Sequence, residues 1–443
     1  MKKSKLLILS ALSAMALTSC SLFKDDDIVV ENHFNTKEEA STVVESDVKA
    51  GGVAATTSSD VPGAMVFKNV EYYNSTEGKK ILNTYTTDNG FKYDVNKKED
   101  YDADPNNNNF DMYIPEGIDK TKDQNVVLFI HGGAWISGLK SHVNPYVKMF
   151  ANKGYVSATI EYTLLDADLL DEAKADKELK NSELSVFRDL DEIDACIFTM
   201  KKCLKELGFN EDKLHLVIGG ASSGAHLAML YSYSRAATCP MPIKFIVDAV
   251  GPTDIKEDVW KTFKAANQEE YDTMLEDGIE YSSINAKKSA DKLRALPVSG
   301  QDYAWNEYQT MRIANGMCGL PFSLSEVEAA AADEKKETVN HSKPVYESIV
   351  SDTESGQDLL SVTHYLKTSA KIPMLCAYSG KDNVVGIGQF ANLQYAMEHD
   401  AGYVKGTDYE YFFFKECGHV NLDTDKTQYE AFTNKIVNWL ETK

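Results

Sequence analysis

The stretch Leu214-His215-Leu216-Val217-Ile218-Gly219-Gly220-Ala221-Ser222-Ser223-Gly224-Ala225-His226 decides the fold. Leu214 to Ile218 is a short apolar run of strand type, and the residues after Ser222 open a helix. Between them stands Gly220-x-Ser222-x-Gly224, the pattern of a tight, strained turn that lifts a serine hydroxyl to its apex. Small residues on either side let the strand and helix backbones approach each other. Alone, G-x-S-x-G is a weak signal, because Gly- and Ser-rich turns are common. The strand before it and the helix after it make the signal specific.

Working outward, similar short runs occur at Val126 to Ile130, Tyr155 to Tyr162, Phe245 to Val250, Ile372 to Tyr378 and Tyr409 to Phe414. Helical patterns separate several of them. From Leu190 to Leu207, Leu190, Ile193, Ile197, Met200 and Leu204 recur at three- and four-residue intervals, which predicts one buried helix face. Alternation of this kind predicts an α/β fold, a mostly parallel central sheet with helices on both faces. Ligands of such sheets bind beyond the carboxyl ends of the strands. Four strands end in residues that carry chemistry: His131-Gly132-Gly133-Ala134-Trp135, the Ser222 turn, Gly380-Lys381-Asp382, and Cys417-Gly418-His419.

Those four ends are expected to converge on one edge of the sheet as one reaction centre. A serine hydroxyl is a poor nucleophile at its own pKa, so His419 is expected to take its proton and Asp382 to hold the imidazole in the right tautomer. The chain order Ser222, Asp382, His419 agrees with that assignment. The oxyanion that follows needs fixed N–H donors. The backbone of Gly132 and Gly133, unobstructed by side chains, and the Ser223 amide at the helix amino terminus are the expected donors. Each residue also has a plainer role open to it: glycines turn chains, loop carboxylates are usually solvated, and His131 can simply brace its loop. Ser223 competes for the role of nucleophile, and Asp254, in Gly251-Pro252-Thr253-Asp254, competes for that of the acid. No cofactor and no metal is implied.

From Phe110-Asp111-Met112-Tyr113-Ile114-Pro115 through His131-Gly132-Gly133-x-Trp135 to His419, the chain resembles the carboxylesterase and lipase branch of the α/β-hydrolases. The nearest likeness is to bacterial feruloyl- and acetyl-esterase-like enzymes and to kynurenine formamidases, which share the HGGxW loop. The resemblance spans about residues 66–443 and implies an α/β-hydrolase fold with that triad. It departs from the family pattern at Ala221, where an acidic residue usually precedes the nucleophile. It departs again at Thr163, after Glu161-Tyr162, where an arginine is usual. In this fold an insertion at about residues 255–360 resembles a cap over the site. Trp260, Phe263, Tyr271, Tyr281, Tyr303, Trp305, Tyr308 and Phe322 there either line a substrate pocket or form the cap's own core.

The amino terminus supplies a destination. Lys2, Lys3 and Lys5, an apolar run from Leu6 to Leu17, and Leu17-Thr18-Ser19-Cys20 have the build of a secretory signal. The final four residues resemble a bacterial lipobox, which implies cleavage after residue 19 and a lipid on Cys20. Residues 20–65 then read as a lipidated flexible tether, with Ala50-Gly51-Gly52 and Val61-Pro62-Gly63 as its flexible points. The expected location is a membrane-anchored exported lipoprotein, periplasmic or on the cell surface. The formal charge of −22 becomes −25 once three signal-peptide lysines are removed, and such acidity excludes nucleic acid as a partner. Cys196, Cys203, Cys239, Cys318, Cys376 and Cys417 lack metal-ligand spacing and read mainly as buried free thiols. The acidic run Asp100 to Asp111 imitates a calcium loop, but Pro105 stands where that loop requires glycine, so it reads as a solvated turn.

The leading expectation is hydrolysis of small acylated carbohydrate or aryl esters through an acyl-enzyme. An amide hydrolase on the same residues and a catalytically silent binding lipoprotein are the alternatives.

Overall fold

The computed structural model describes residues 48–72, 108–165, 186–255, 317, 359–382, 384–419 and 421–443. The signal segment, Cys20, the first part of the tether, Asp100 to Pro105 and the cap aromatics lie outside the described residues. The chain forms two compact units, whose described parts are residues 48–164, 188–248 and 433–443 in one and 165, 186–187, 249–255, 317 and 359–432 in the other.

The first unit opens with a small hairpin, β1 (Lys49–Ala50) and β2 (Val53–Ala54). Then come β3 (Thr56–Ser58), β4 (Val61–Glu71), β5 (Asn109–Ile114), β6 (Gln124–Ile130), β7 (Ser157–Glu161), β8 (Leu214–Ala221) and β9 (Ile243–Ala249). These last seven stand in the order β9-β8-β6-β7-β5-β4-β3. At the centre, β6 runs parallel to β8, from Gln124 opposite Leu214 to Ile130 opposite Gly220, and parallel to β7 on its other side. The edge is antiparallel, β7 to β5, β5 to β4 and β4 to β3. The reason lies in the strand composition. Successive side chains of Val126 to Ile130 point to opposite faces, yet all are fully buried, so both faces of the strand are covered, as a parallel strand requires.

The described residues of this part of the fold include the helices α1 (Asn144–Asn152), α2 (Val186–Glu206) and α3 (Ser223–Arg235). The periodic stripe Leu190, Ile193, Ile197, Met200 and Leu204 is buried along α2 as its spacing requires. Each such side chain contributes roughly 1.5–3 kcal/mol of transfer free energy.

In the second unit, α4 (Val362–Tyr365) precedes β10 (Met374–Ser379), which runs parallel to β11 (Tyr409–Phe414) in register from Met374 opposite Tyr409 to Ser379 opposite Phe414. The backbone just beyond β9 joins this pair, since the Val250 N–H donates to the Ala377 carbonyl at 2.8 Å. Helix α5 (Ile387–Tyr395) lies between β10 and β11 in the chain, and α6 (Lys426–Thr442) follows β11, its residues from 433 onward belonging to the first unit. The mainly parallel core, its antiparallel edge and this strand order are those of an α/β-hydrolase fold.

One boundary moves. Residues 48–65, expected to be tether, hold β1, β2, β3 and the start of β4, and Ala50, Val61, Ala64 and Val66 are buried. Gly51 and Gly52, at φ 55° and 80°, are the two central residues of the β1–β2 turn. Positive φ at both positions is what a two-residue hairpin of this hand demands, so the glycine pair marks order here, not flexibility.

Among the described residues the cysteines behave as expected, Cys318 lying outside them. Cys196, Cys203, Cys239, Cys376 and Cys417 are all free thiols, and all but Cys239 are buried.

Candidate active site

Ser222 is the residue between β8 and α3, and its backbone sits at φ 56°, ψ −126°. A non-glycine residue there carries strain of order 1–3 kcal/mol, which persists only where the surroundings enforce it. The enforcement is steric. A methyl group on Gly224 would stand 2.2 Å from the Ile130 carbonyl oxygen and 2.4 Å from that of His131. One on Gly220 would stand 2.3 Å from the Gly224 carbonyl carbon. The close approach of strand and helix that the sequence pattern implied is therefore present in atoms. Gly224→Ala is expected to destabilise the protein by on the order of 3 kcal/mol or more, because the clash is with backbone that cannot swing aside. Denaturant midpoints measure this, and wild-type stability with wild-type activity would show the approach to be looser than described.

The glycine loop lies against the same turn. A methyl on Gly132 would meet the Ala221 carbonyl oxygen at 2.6 Å and Ser222 Cβ at 2.9 Å, so only glycine lets the loop backbone reach Ser222. The Gly133 carbonyl accepts the N–H groups of Ile136 and Ser137 at 3.2 and 3.0 Å and the Ser137 hydroxyl at 2.9 Å, which closes the loop on itself. Ser223 is the first residue of α3, where backbone N–H groups have no carbonyl of their own helix to meet. Gly132, Gly133, Ser222 and Ser223 are thus brought together within one unit.

His131 braces this loop. Its ring stacks on Tyr162 with centroids 4.4 Å apart, and the Tyr162 hydroxyl donates to the His131 carbonyl at 3.2 Å. Its Nδ1–H donates to the Gly132 carbonyl at 2.9 Å. Burial pushes the His131 pKa down to about 3, so the ring is neutral and its approach to Glu161, 3.6 Å from Nε2, is not an ion pair.

In the second unit, Asp382 follows β10 and His419 follows β11. His419 Nδ1 stands 2.7 Å from Asp382 Oδ2, while Asp382 Oδ1 accepts the Val384 and Val385 N–H groups, each at 2.8 Å. Asp382 is fully buried. Its two oxygens are therefore divided, one fixing the carboxylate in its loop and the other orienting the imidazole. The competing acid has other work: Asp254 accepts the Ser361 hydroxyl at 3.0 Å, the Thr363 hydroxyl at 3.1 Å and the Asn392 amide. Gln389 clamps the same segment, accepting the Thr253 and Asp254 N–H groups at 2.7 and 2.8 Å.

Both departures from the family pattern have structural accounts. The Ala221 carbonyl is what Gly132 packs against, and an alanine side chain leaves that approach open. At the second, the N–H and hydroxyl of Thr163 each donate to Glu192 at 2.7 Å, and Arg188 Nε pairs with the same carboxylate at 3.1 Å, all buried. The arginine comes from α2, a position that reading the β7 end alone does not reveal. Sequence reasoning also passed over His226, which closes the quoted motif; its spacing of four residues from Ser222 on one helix was the available signal.

A family model described as BD-FAE matches residues 110–181, a stretch that holds the whole His131 to Trp135 loop. Among relatives, the chain is 26% identical over 160 residues to the non-reducing polyketide synthase Preu3 of Preussia isomera, covering 34% of this chain and 6% of that one. It is 27% identical over 155 residues to the non-reducing polyketide synthase ausA of Aspergillus calidoustus, with the same coverage. The chain thus spans only 6% of the length of these relatives. Among solved structures, a truncated carbohydrate esterase from gut microbiota is similar at TM-score 0.49 and 12% identity, over 87% of this chain and 99% of that one. Esterase B of Lactobacillus rhamnosis is similar at TM-score 0.48 and 12% identity, over 86% and 88% of the two chains.

Proposed function

We propose that this protein is a serine-dependent carboxylic ester hydrolase that uses Ser222 as nucleophile, His419 as general base and acid, and Asp382 to orient His419. The observation that carries the reading is the Ser222 backbone at φ 56°, held between strand and helix with the Gly132 loop against it. A strained, non-glycine serine flanked by indispensable glycines has no use in packing; it has one in presenting a hydroxyl. The Asp382–His419 hydrogen bond and the family-model match over the glycine loop support the same reading.

The chemistry follows in two halves. Ser222 Oγ attacks the ester carbonyl as its proton passes to His419 Nε2, while Nδ1–H donates to Asp382 Oδ2. The oxyanion takes N–H bonds from Gly132, Gly133 and Ser223. Collapse breaks the C–O bond, the departing alkoxide takes the proton from Nε2, and an acyl-Ser222 remains. Water then gives a proton to Nε2, attacks the acyl carbon and releases the acid, and Ser222 recovers its proton. The proposed substrates are small acylated carbohydrate or aryl esters. The test is covalent labelling of Ser222 by a fluorophosphonate together with turnover of ester and amide substrates of matched acyl group. Labelling with faster ester turnover supports the proposal. Faster amide turnover reassigns the substrate class, and no labelling removes the enzyme reading.

We further propose that the mature protein is exported and lipid-anchored through Cys20. Cys20→Ala is expected to move the enzyme from the membrane to the soluble fraction with its ester turnover unchanged. Membrane retention of that variant would sink the proposal.

A further inference from the structure

The proposed oxyanion donors come from two places that are far apart in the chain. Gly132 and Gly133 sit on the loop after β6, and Ser223 sits on α3. Donors act on a transition state only while their separation stays fixed to a few tenths of an ångström, and a misplacement of about 1 Å can cost on the order of 10²-fold. The contact of Gly132 with Ala221 and Ser222 stops the loop from approaching any closer. A repulsive contact does not stop it from moving away. Tyr162 holds the loop toward the β7 side through His131, and its hydroxyl also lies beside the Ser223 side chain at the start of α3.

A direct tie from the glycine loop itself to α3 is made by Trp135 and His226. The Trp135 indole Nε1–H donates to His226 Nδ1 at 3.3 Å across ninety-one residues of sequence, with the rings edge-on at 90° and centroids 5.3 Å apart. Both side chains are buried. An indole nitrogen is a donor only, so His226 Nδ1 must be the bare nitrogen of a neutral ring. Trp135 also needs an anchor, because Ala134 and Trp135 are consecutive non-glycine residues at φ 57° and 61°. That costs of order 1–3 kcal/mol apiece and relaxes unless the surroundings hold it.

We infer that His226 is a positioning residue for the proposed reaction: through the Trp135 indole it holds the Gly132–Gly133 loop at its working distance from the Ser222–Ser223 turn. The inference rests on the serine-hydrolase reading of Ser222. It requires that loss of the acceptor act in the transition state more than on substrate binding. His226→Phe keeps a ring of similar size and removes the acceptor. Its kcat should fall roughly ten- to hundred-fold, less than the ~10²–10³ expected when a donor is deleted outright, with KM little changed. The inhibition constant of a trifluoromethyl ketone, whose adduct carries the oxyanion, should rise by the same factor. His226→Asn places an amide oxygen near the Nδ1 position and should recover most of the loss. Trp135→Phe should reproduce it, and the double variant His226→Phe with Trp135→Phe should be no worse than either single change.

A merely structural histidine predicts something else: a lower melting temperature, with kcat and inhibitor affinity of the folded enzyme unchanged. That result, or an Asn variant no better than Phe, overturns the inference. If His226→Phe does not fold, Trp135→Phe and His226→Asn decide it by the same kcat and inhibitor readouts. Fluorophosphonate labelling of wild-type Ser222 separates the two readings. Labelled wild type with unaffected His226 variants sinks this inference alone, whereas unlabelled wild type sinks both.

Discussion

Replacing Ser222 by alanine should lower the turnover number by about 10⁶-fold, the loss that follows deletion of a nucleophile working as one unit with its base. The neighbouring hydroxyl cannot substitute for it. Ser222 alone has the strained φ of 56° that lifts its side chain from the turn, whereas Ser223 begins α3 and its side chain is buried in the helix. Ser223→Ala keeps the backbone N–H and should cost about tenfold or less, below the ~10²–10³ of a lost oxyanion donor. Turnover of a short-chain aryl ester, with mass-spectrometric mapping of the fluorophosphonate adduct, measures both variants. An adduct on Ser223, or a dead Ser223→Ala beside an active Ser222→Ala, would mean that the turn has been read one residue out of place.

Asp382→Asn should lower turnover by about 10⁴-fold while leaving the fold intact. The two carboxylate oxygens divide the labour. Oδ1 accepts two N–H groups, from Val384 and Val385, so an asparagine at this position must turn its own oxygen toward them. Its NH₂ group then faces His419 Nδ1, where Oδ2 stands at 2.7 Å in the native protein. An NH₂ group can only donate, so Nδ1 becomes the acceptor and the ring proton is driven to Nε2. Nε2 is the atom that must take the Ser222 proton, and with a proton already on it the base is lost. Steady-state kinetics with a parallel thermal melt checks this. Turnover within tenfold of wild type would show that Asp382 does not set the tautomer of His419. An unfolded variant would be uninformative on chemistry, and Asp382→Glu, which preserves the acceptor, then carries the comparison by retaining more turnover than Asn.

Much of the architecture was legible in the sequence because its causes are local. An apolar run such as Val126 to Ile130 reads as a buried strand whatever surrounds it, and β11 begins and ends at Tyr409 and Phe414 as its composition implied. The stripe on α2 was readable for the same reason, since a period of 3.6 residues is a property of the helix itself. The amino-terminal strands were not readable. Gly51-Gly52 is compatible with a flexible tether and with a tight turn, and what selects the turn is burial of Ala50, Val61 and Val66 against the rest of the chain. Charged and polar residues were ambiguous in a similar way. Asp254 and Asp382 both follow strands and both sit in loops, and no spacing tells them apart.

The sequence by itself determined the strand, turn and helix around Ser222, the glycines that this turn cannot do without, and the order in which serine, acid and histidine occur. These are consequences of backbone geometry within a few residues. Only the tertiary structure decided that Asp382, and not Asp254, stands at hydrogen-bond distance from His419, that Arg188 and Thr163 share Glu192, and that Trp135 reaches His226. The physical reason is that a polar side chain is assigned its role by the partner that satisfies it on burial. That partner here lies from four residues to more than one hundred residues away, and at the longer separations no periodicity reaches it.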